Sequence, residues 1–163
     1  MKLALIVIDV QKAYHHGPSK KSMDSACEYI NAAIDLFRKH NLPIIWVQDS
    51  DEEDGVVPGT VGYELIDSLT PLKGDYHVNK FYGNAFNKTD LASYLEEKGI
   101  DTPLLTGYCA EYCVLSTYRG ALDVDLSPIL LRGAIATGND KHLDMVMEIS
   151  DVMSFGVLQN ILE

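Results

Sequence analysis

Runs of aliphatic residues recur along the chain and alternate with stretches of helical periodicity. Residues 2–9 read KLALIVID, a nearly continuous run of Leu, Ile and Val. Such a run is typical of a strand that is covered on both faces, as in a parallel sheet. Residues 22–40 follow with apolar positions three and four apart, which predicts an amphipathic helix. The chain therefore opens with a buried strand and a helix that packs on it.

The same alternation continues to the end of the chain. Further strands are predicted at residues 44–48, 75–81, 102–107 and 127–131, with a last strand within 152–158. Further helices are predicted at residues 89–98, 112–123 and 140–150, with a short helix at 63–69. This order predicts an α/β fold, a doubly wound three-layer αβα sandwich with a mostly parallel sheet. Neither a linker nor a repeat divides it, so residues 1–163 are expected to form a single domain.

Length and composition agree with one globular domain. The chain has 163 residues, of which 47% are apolar and 23% charged. None of its apolar runs approaches the roughly 20 residues that a membrane-spanning helix needs. The opening segment does not resemble a signal peptide, because Asp9 interrupts it where a cleavage region would begin. We therefore expect a cytoplasmic protein.

The charge balance and the cysteines exclude several classes. The net charge of −11 disfavours binding to nucleic acid or to an anionic membrane, since both need clustered Lys and Arg. We expect neither as a partner. The cysteines are Cys27, Cys109 and Cys113, an odd number in a chain without a secretion signal. Reduced thiols are therefore expected rather than a disulfide framework.

Polar residues at the ends of predicted strands are the candidates for chemistry, because ligands of doubly wound folds collect at the carboxyl ends of the strands. Asp9 ends the first strand and either caps a turn or supplies a carboxylate for proton transfer. Lys80 ends the third strand. It is either a solvated charge or, if it lies beside a thiol, a group that lowers the thiol pKa.

Two cysteines lie in or near the turn that follows the strand at 102–107. Cys113 opens the next predicted helix, where the helix dipole favours an anion and shifts a thiol towards thiolate. The alternative is a small buried apolar residue. Cys109 precedes the helix and is the weaker candidate nucleophile. A metal site that uses both cysteines has little support, because no second cysteine pair accompanies them.

Three stretches together resemble the isochorismatase-like cysteine hydrolase superfamily, which includes nicotinamidases, N-carbamoyl amidohydrolases and isochorismatases. They are ALIVIDVQKAY at residues 4–14, VNKFYGNAF at 78–86 and LLTGYCAEYCVLSTYRGALD at 104–123. The gaps between them also fit, so the resemblance covers nearly the whole chain. It implies an isochorismatase-like, Rossmann-like fold.

The resemblance also implies the roles of the candidate residues. It makes Asp9, Lys80 and Cys113 a catalytic triad. It places a cis peptide bond between Tyr108 and Cys109, and the amides of Cys109 and Cys113 would form an oxyanion hole. The implied activity is hydrolysis of a C–N bond of amide type in a small molecule, through a thioester on Cys113.

Expectations about ligands and partners complete the hypothesis. Tyr14, Phe81, Tyr82 and Tyr112 are the predicted substrate-binding walls of the pocket. A small-molecule substrate is the predicted partner. Because family members are often dimers or tetramers, a homo-oligomer is expected.

Nicotinamidases that resemble this chain carry an Asp and several His as a metal site after the second strand. Here Asp49 is followed by no His before position 77, so we expect neither a metal nor another cofactor.

Alternatives remain open at this point. Isochorismatase-type hydrolysis of a vinyl ether does not need a thiol nucleophile, so the presence of Cys113 favours amide chemistry. A non-catalytic, small-molecule-binding member of the same fold is a second alternative, which the intact set of Asp, Lys and Cys disfavours. A thiol redox protein that uses Cys109 and Cys113 is a third, and the absence of a C-x-x-C motif disfavours it.

Overall fold

Strand β1 lies at the centre of a six-stranded sheet in the computed structural model, which describes residues 1–163. The strand order is β3-β2-β1-β4-β5-β6, and every neighbouring pair is parallel. The strands are β1 (Leu3–Ile8), β2 (Ile44–Asp49), β3 (Tyr76–Lys80), β4 (Thr102–Tyr108), β5 (Ile129–Ala136) and β6 (Val152–Met153). The helices are α1 (Gly17–Lys39), α2 (Leu91–Glu97), α3 (Leu115–Asp123), α4 (Asp140–Glu148) and α5 (Phe155–Leu162). The sheet confirms the predicted α/β class.

Alternate residues of β1 build two separate cores, one on each face of the sheet. Leu3, Leu5 and Val7 belong to the core that contains the apolar face of α1 together with Leu158 of α5. Ile6 and the other even-numbered residues of β1 belong to the second core, which contains buried residues of α2, α3 and α4. Because successive side chains of a strand point to opposite faces, an aliphatic run serves both layers.

Some element boundaries differ from those predicted. Helix α1 begins at Gly17, five residues before the predicted start, with Pro18 in its first turn. Strand β5 continues to Ala136, although Arg132 and Gly133 interrupt the apolar run there. The predicted helix at 63–69 is wrong, because this segment forms turns and Leu65 pairs with Gln11 in an isolated bridge.

The segments around the last strand and around Cys113 also differ. Only Val152 and Met153 form a strand, and α5 follows at once. The side chain of Ser154 accepts a hydrogen bond from the amide of Val157 and so caps α5. Before α3, residues Ala110–Val114 form a short π-helical turn. No helix of the protein combines the length and the apolar character that crossing a bilayer requires.

Candidate active site

Four polar side chains lie at neighbouring strand ends. The chain winds outwards from β1 in one direction to β2 and β3 and in the other to β4 and β5, so the winding reverses between β1 and β4. In open α/β sheets this reversal point opens a crevice for ligands. Asp9 directly follows β1, Asp49 and Lys80 end β2 and β3, and Cys113 lies in the turn after β4.

Lys80 is the centre of this group. Its Nζ lies 2.9 Å from Oδ2 of Asp9 and 2.8 Å from Oδ1 of Asp49, and donates to Sγ of Cys113 at 3.3 Å. The side chain is fully buried. An ammonium has three donors, and these contacts use all three. Burial opposes the charge of Lys80, but the negative groups around it together raise its pKa above the ordinary value.

Asp9 is held in a strained backbone conformation at the floor of the crevice. Its φ is +52°, and its amide donates to the carbonyl oxygen of Val47 at 2.9 Å. Burial raises the pKa of Asp9 to about 6, with Lys80 lowering it and Asp49 raising it further. Oδ1 of Asp9 is buried and has no hydrogen-bond partner. This oxygen is therefore free to accept a proton.

The thiol of Cys113 is mostly buried beside the carboxylate of Asp9 and the ammonium of Lys80. Burial and the charge of Asp9 raise the pKa of Cys113 above that of an ordinary thiol, against the opposing effect of Lys80. This direction is opposite to the shift towards thiolate that the sequence predicts. The physical reason is that Cys113 is buried beside the carboxylate of Asp9 and lies in the π-helical turn before α3 begins.

Sequence reasoning did not assign a catalytic or binding role to Asp49. Its Oδ2 accepts a hydrogen bond from the hydroxyl of Tyr14 at 2.8 Å. The buried side chain of Gln11 fixes the backbone of Asp49: Gln11 Oε1 accepts from the Asp49 amide at 2.8 Å, and Nε2 donates to its carbonyl at 3.0 Å. The sequence did contain a sign of this role, because Asp49 ends a largely buried strand much as Asp9 follows one.

The turn between β4 and α3 brings Cys109 next to the nucleophile candidate. The peptide bond between Tyr108 and Cys109 is cis, at the position that the resemblance implies. The carbonyl of Cys109 accepts from the amides of Tyr112 and Val114 at 3.0 and 3.1 Å. The amide of Cys109 donates to no acceptor within the protein. A free amide at this point is available to a ligand in the crevice.

Glu111 anchors this turn to the far end of β5 and to α4. Its Oε2 accepts hydrogen bonds from the thiol of Cys109 at 3.1 Å and from the hydroxyl of Thr137 at 2.9 Å. Its Oε1 lies 2.9 Å from Nδ1 of His142. Burial and the charge of Glu111 raise the pKa of Cys109 to about 11, so this thiol is uncharged at neutral pH.

A cavity of about 250 Å³ opens above these groups. Its lining residues are Asp9, Tyr14, Asp49, Tyr108, Cys109, Tyr112 and Cys113. The rings of Tyr14 and Tyr108 stack with their centroids 5.8 Å apart and form one wall. The space suits a small organic molecule, and the thiol of Cys113 is reachable from it.

Two of the predicted pocket walls do not contribute to the cavity. Phe81 and Tyr82 are 59% and 43% exposed, and neither is among the lining residues. The chain leaves the sheet after Lys80, so these two side chains turn towards solvent. The hydroxyl of Tyr82 accepts a hydrogen bond from Lys88 at 3.1 Å.

No group of three or more His, Cys, Asp or Glu side chains has an arrangement suited to a metal ion.

The fold and the site together define a doubly wound α/β protein that has an ionic cluster and a thiol at the point where the winding of the sheet reverses. The sequence profile of the Isochorismatase domain matches residues 3–156. The chain therefore belongs to the isochorismatase family.

Similar proteins agree with this assignment. A secreted isochorismatase effector of Verticillium dahliae is 29% identical over 164 residues, which cover 94% of this chain and 85% of that protein. An isochorismatase-like hydrolase from Alkaliphilus metalliredigens superposes with a TM-score of 0.90 at 25% identity, covering 99% of this chain and 97% of that one. N-carbamoylsarcosine amidase from Thermoplasma acidophilum superposes with a TM-score of 0.84 at 29% identity, covering 94% and 96%.

Proposed function

We propose that this protein is a cysteine-dependent hydrolase that cleaves a C–N bond of amide type in a small molecule through a thioester on Cys113. The observation that carries the proposal is the convergence of Asp9, Lys80 and Cys113 within hydrogen-bonding reach at the base of the cavity. The solved amidase among the similar proteins supports amide chemistry.

In the first half of the reaction, the sulfur of Cys113 attacks the amide carbonyl carbon and its proton passes to Oδ1 of Asp9. Oδ1 suits this role because it is buried and has no other partner. Lys80 stabilises the charges of Asp9 and of the sulfur while the proton moves. The free amide of Cys109, with that of Cys113, donates to the developing oxyanion. Asp9 then returns the proton to the leaving nitrogen, and a thioester remains.

In the second half, a water molecule attacks the thioester carbonyl and gives a proton to Asp9. Collapse of the intermediate breaks the C–S bond and releases a carboxylic acid, and the sulfur regains its proton from Asp9. The raised pKa of the Cys113 thiol fits this scheme, because Asp9 then takes the proton as the sulfur attacks the substrate.

The test is direct detection of the covalent intermediate. The protein is mixed with a panel of small primary amides and quenched in acid within a turnover. We expect a mass increase equal to the acyl group on Cys113, together with release of ammonia. Cys113→Ser should lose the thioester, and Cys27→Ser, which changes a cysteine remote from the site, should keep it. Ammonia release that persists without any adduct and survives in Cys113→Ala would contradict the proposal.

A second candidate is isochorismatase-type hydrolysis of a vinyl ether, which the 29% identity to the Verticillium dahliae protein supports. That reaction protonates a carbon and does not require a thiol nucleophile. The same variants separate the two candidates. Vinyl ether hydrolysis should persist in Cys113→Ala, whereas amide hydrolysis should disappear.

A further inference from the structure

The charges around the cavity do not balance. Asp9 and Asp49 both contact the single ammonium of Lys80. With both carboxylates ionised, the three groups together carry one net negative charge. This sum does not change when the proton of Cys113 passes to Asp9, because a negative sulfur then replaces a negative carboxylate.

No cation on the cavity wall offsets this excess. The lining contains two aspartates, three tyrosines and two cysteines, and no Lys, Arg or His. Lys80 lies behind the wall with its three donors already used. The nearby His142 is paired with Glu111, which adds a further negative group under Cys109.

The hydroxyls of two of the three lining tyrosines are already engaged, so these two rings offer the cavity aromatic faces rather than free donors. The hydroxyl of Tyr14 donates to Asp49 at 2.8 Å, and that of Tyr108 lies 2.9 Å from the hydroxyl of Ser19. Tyr112 lines the cavity and is largely exposed. Aromatic faces attract cations and pack against uncharged groups. A carboxylate in this cavity would meet negative charge and find no ammonium or guanidinium to pair with.

We propose that the site accepts a small amide that is uncharged or positively charged and discriminates against amides that carry a carboxylate. That the substrate is an amide rests on the proposed function. The charge preference itself follows from the charges of Asp9, Asp49 and Lys80. Asp49 is the residue that determines this specificity, because without it one carboxylate and one ammonium would balance.

The preference can be measured without knowledge of the substrate, by alkylation of Cys113. Iodoacetamide and iodoacetate have nearly the same size and form the same kind of S–C bond with loss of iodide, but only iodoacetate is anionic. The rate of each with Cys113 is followed by peptide mass spectrometry at pH 7.5, and the ratio is divided by the same ratio for glutathione. We expect a normalised preference for iodoacetamide of at least tenfold. A normalised ratio near one, or below one, would overturn the inference.

Two variants assign the effect to the charge of Asp49. In Asp49→Asn the normalised preference should fall at least threefold. Tyr14→Phe breaks the hydrogen bond to the same carboxylate without changing any charge, and should keep the preference. An unchanged preference in Asp49→Asn, or an equal fall in Tyr14→Phe, would remove Asp49 from this role.

Hydrolysis supplies an independent arm with benzamide, 4-carbamoylbenzoate and 4-(aminomethyl)benzamide, which are uncharged, anionic and cationic. We expect turnover of the anionic compound to be at least tenfold below that of the better of the other two. Comparable turnover of the anionic compound overturns the charge inference and leaves the proposed function intact. If none of the three compounds is hydrolysed but Cys113 still prefers iodoacetamide, these amides are not substrates. The alkylation ratio then still supports the charge preference.

Discussion

Asp9 combines the two properties that a catalytic base needs. Its carboxylate has a buried oxygen without a partner, and burial raises its pKa to about 6, closer to neutrality than that of an ordinary aspartate. A base is most effective when its pKa lies near the working pH. Lys80 opposes this rise and so keeps the group ionised at neutral pH.

Asp9→Asn removes the proposed proton acceptor and keeps the size of the side chain. We expect kcat/KM for a turned-over amide to fall about 10²–10⁴-fold. Asp24→Asn, an exposed aspartate outside the cavity, is the matched control and should keep full activity. Steady-state kinetics on both variants checks the prediction, and a loss smaller than tenfold in Asp9→Asn would contradict it.

The pH dependence of kcat/KM should report the titration of Asp9. Because the proposed mechanism needs its carboxylate as a base and its pKa is raised to about 6, activity should be full above that pH and fall as the pH drops through it. Asp49→Asn removes a negative charge that raises this pKa, so the acidic limb should move to lower pH. An acidic limb that stays in place in Asp49→Asn would show that another group titrates.

The turn after β4 holds its shape through contacts with distant elements. Glu111 connects Cys109 to Thr137 and to His142 of α4, so three donors share its two oxygens. Gly107, at the end of β4, has a φ of +111° and approaches β1 so closely that a Cβ would lie 2.1 Å from the carbonyl oxygen of Ile8. The position of Cys113, the proposed nucleophile, therefore depends on a carboxylate and on a close backbone approach.

Glu111→Gln keeps the size of the side chain and leaves only one acceptor oxygen for three donors. We expect kcat to fall at least tenfold with little change in KM, because the amide of Cys109 shifts relative to the substrate carbonyl. Glu148→Gln makes the same chemical change on the exposed end of α4 and should leave kcat unchanged. A similar melting temperature in both variants separates positioning from general loss of stability, and an unchanged kcat in Glu111→Gln would refute the role.

Gly107→Ala should destabilise the protein strongly. The added Cβ collides with the backbone of β1 at a φ that non-glycine residues avoid, so we expect a loss of about 3 kcal/mol in the free energy of unfolding. Gly59→Ala is the matched control, because Gly59 also has a positive φ, +92°, but open space around it. It should lose only about 1 kcal/mol. Urea denaturation of both variants measures the difference, and equal losses would rule out the collision with β1 as the cause.

The elements that the sequence predicted best are those with a long apolar pattern. The run in β1 and the periodicity of α1 extend over enough residues to exclude other structures. Helix α5 was missed because its short apolar run fits a strand equally well and only the Ser154 cap distinguishes the two. Segment 63–69 has helical spacing, but its backbone pairs with Gln11 instead.

The site was predictable at strand ends and less so beyond them. Asp9, Lys80 and Cys113 do meet in space, as the motifs imply. The sequence pattern assigned no role to Asp49, because an acidic loop follows it directly and the residue could not be distinguished from that loop. The raised pKa of Cys113 depends on burial and on the nearby charge of Asp9, and both exist only in three dimensions. Phe81 and Tyr82 were expected at the wall because they follow Lys80, but the chain turns outwards there.

At the scale of the whole molecule, exposed apolar residues bear on self-association. Two pairs of apolar residues are each more than two-fifths exposed, and the members of a pair lie four residues apart. They are Met145 and Ile149, on or beside α4, and Val157 and Ile161, on α5. Burial of such side chains between copies would be favourable. The homo-oligomer implied by the resemblance stays a prediction: sedimentation velocity at micromolar concentration should give a dimer or a tetramer. A monomer at every concentration up to 100 times higher would contradict it.

The four groups at the base of the cavity, at positions 9, 49, 80 and 113, lie at the ends of four different strands or in the segments that directly follow them. No fragment that lacks one of these strands can hold the full set. Recovery of enzymatic turnover during refolding should therefore coincide with closure of the whole sheet, and a protease cut between any two of these strands that separates the pieces should abolish it. Turnover would then serve as a readout of complete assembly, which spectroscopic helix content cannot provide.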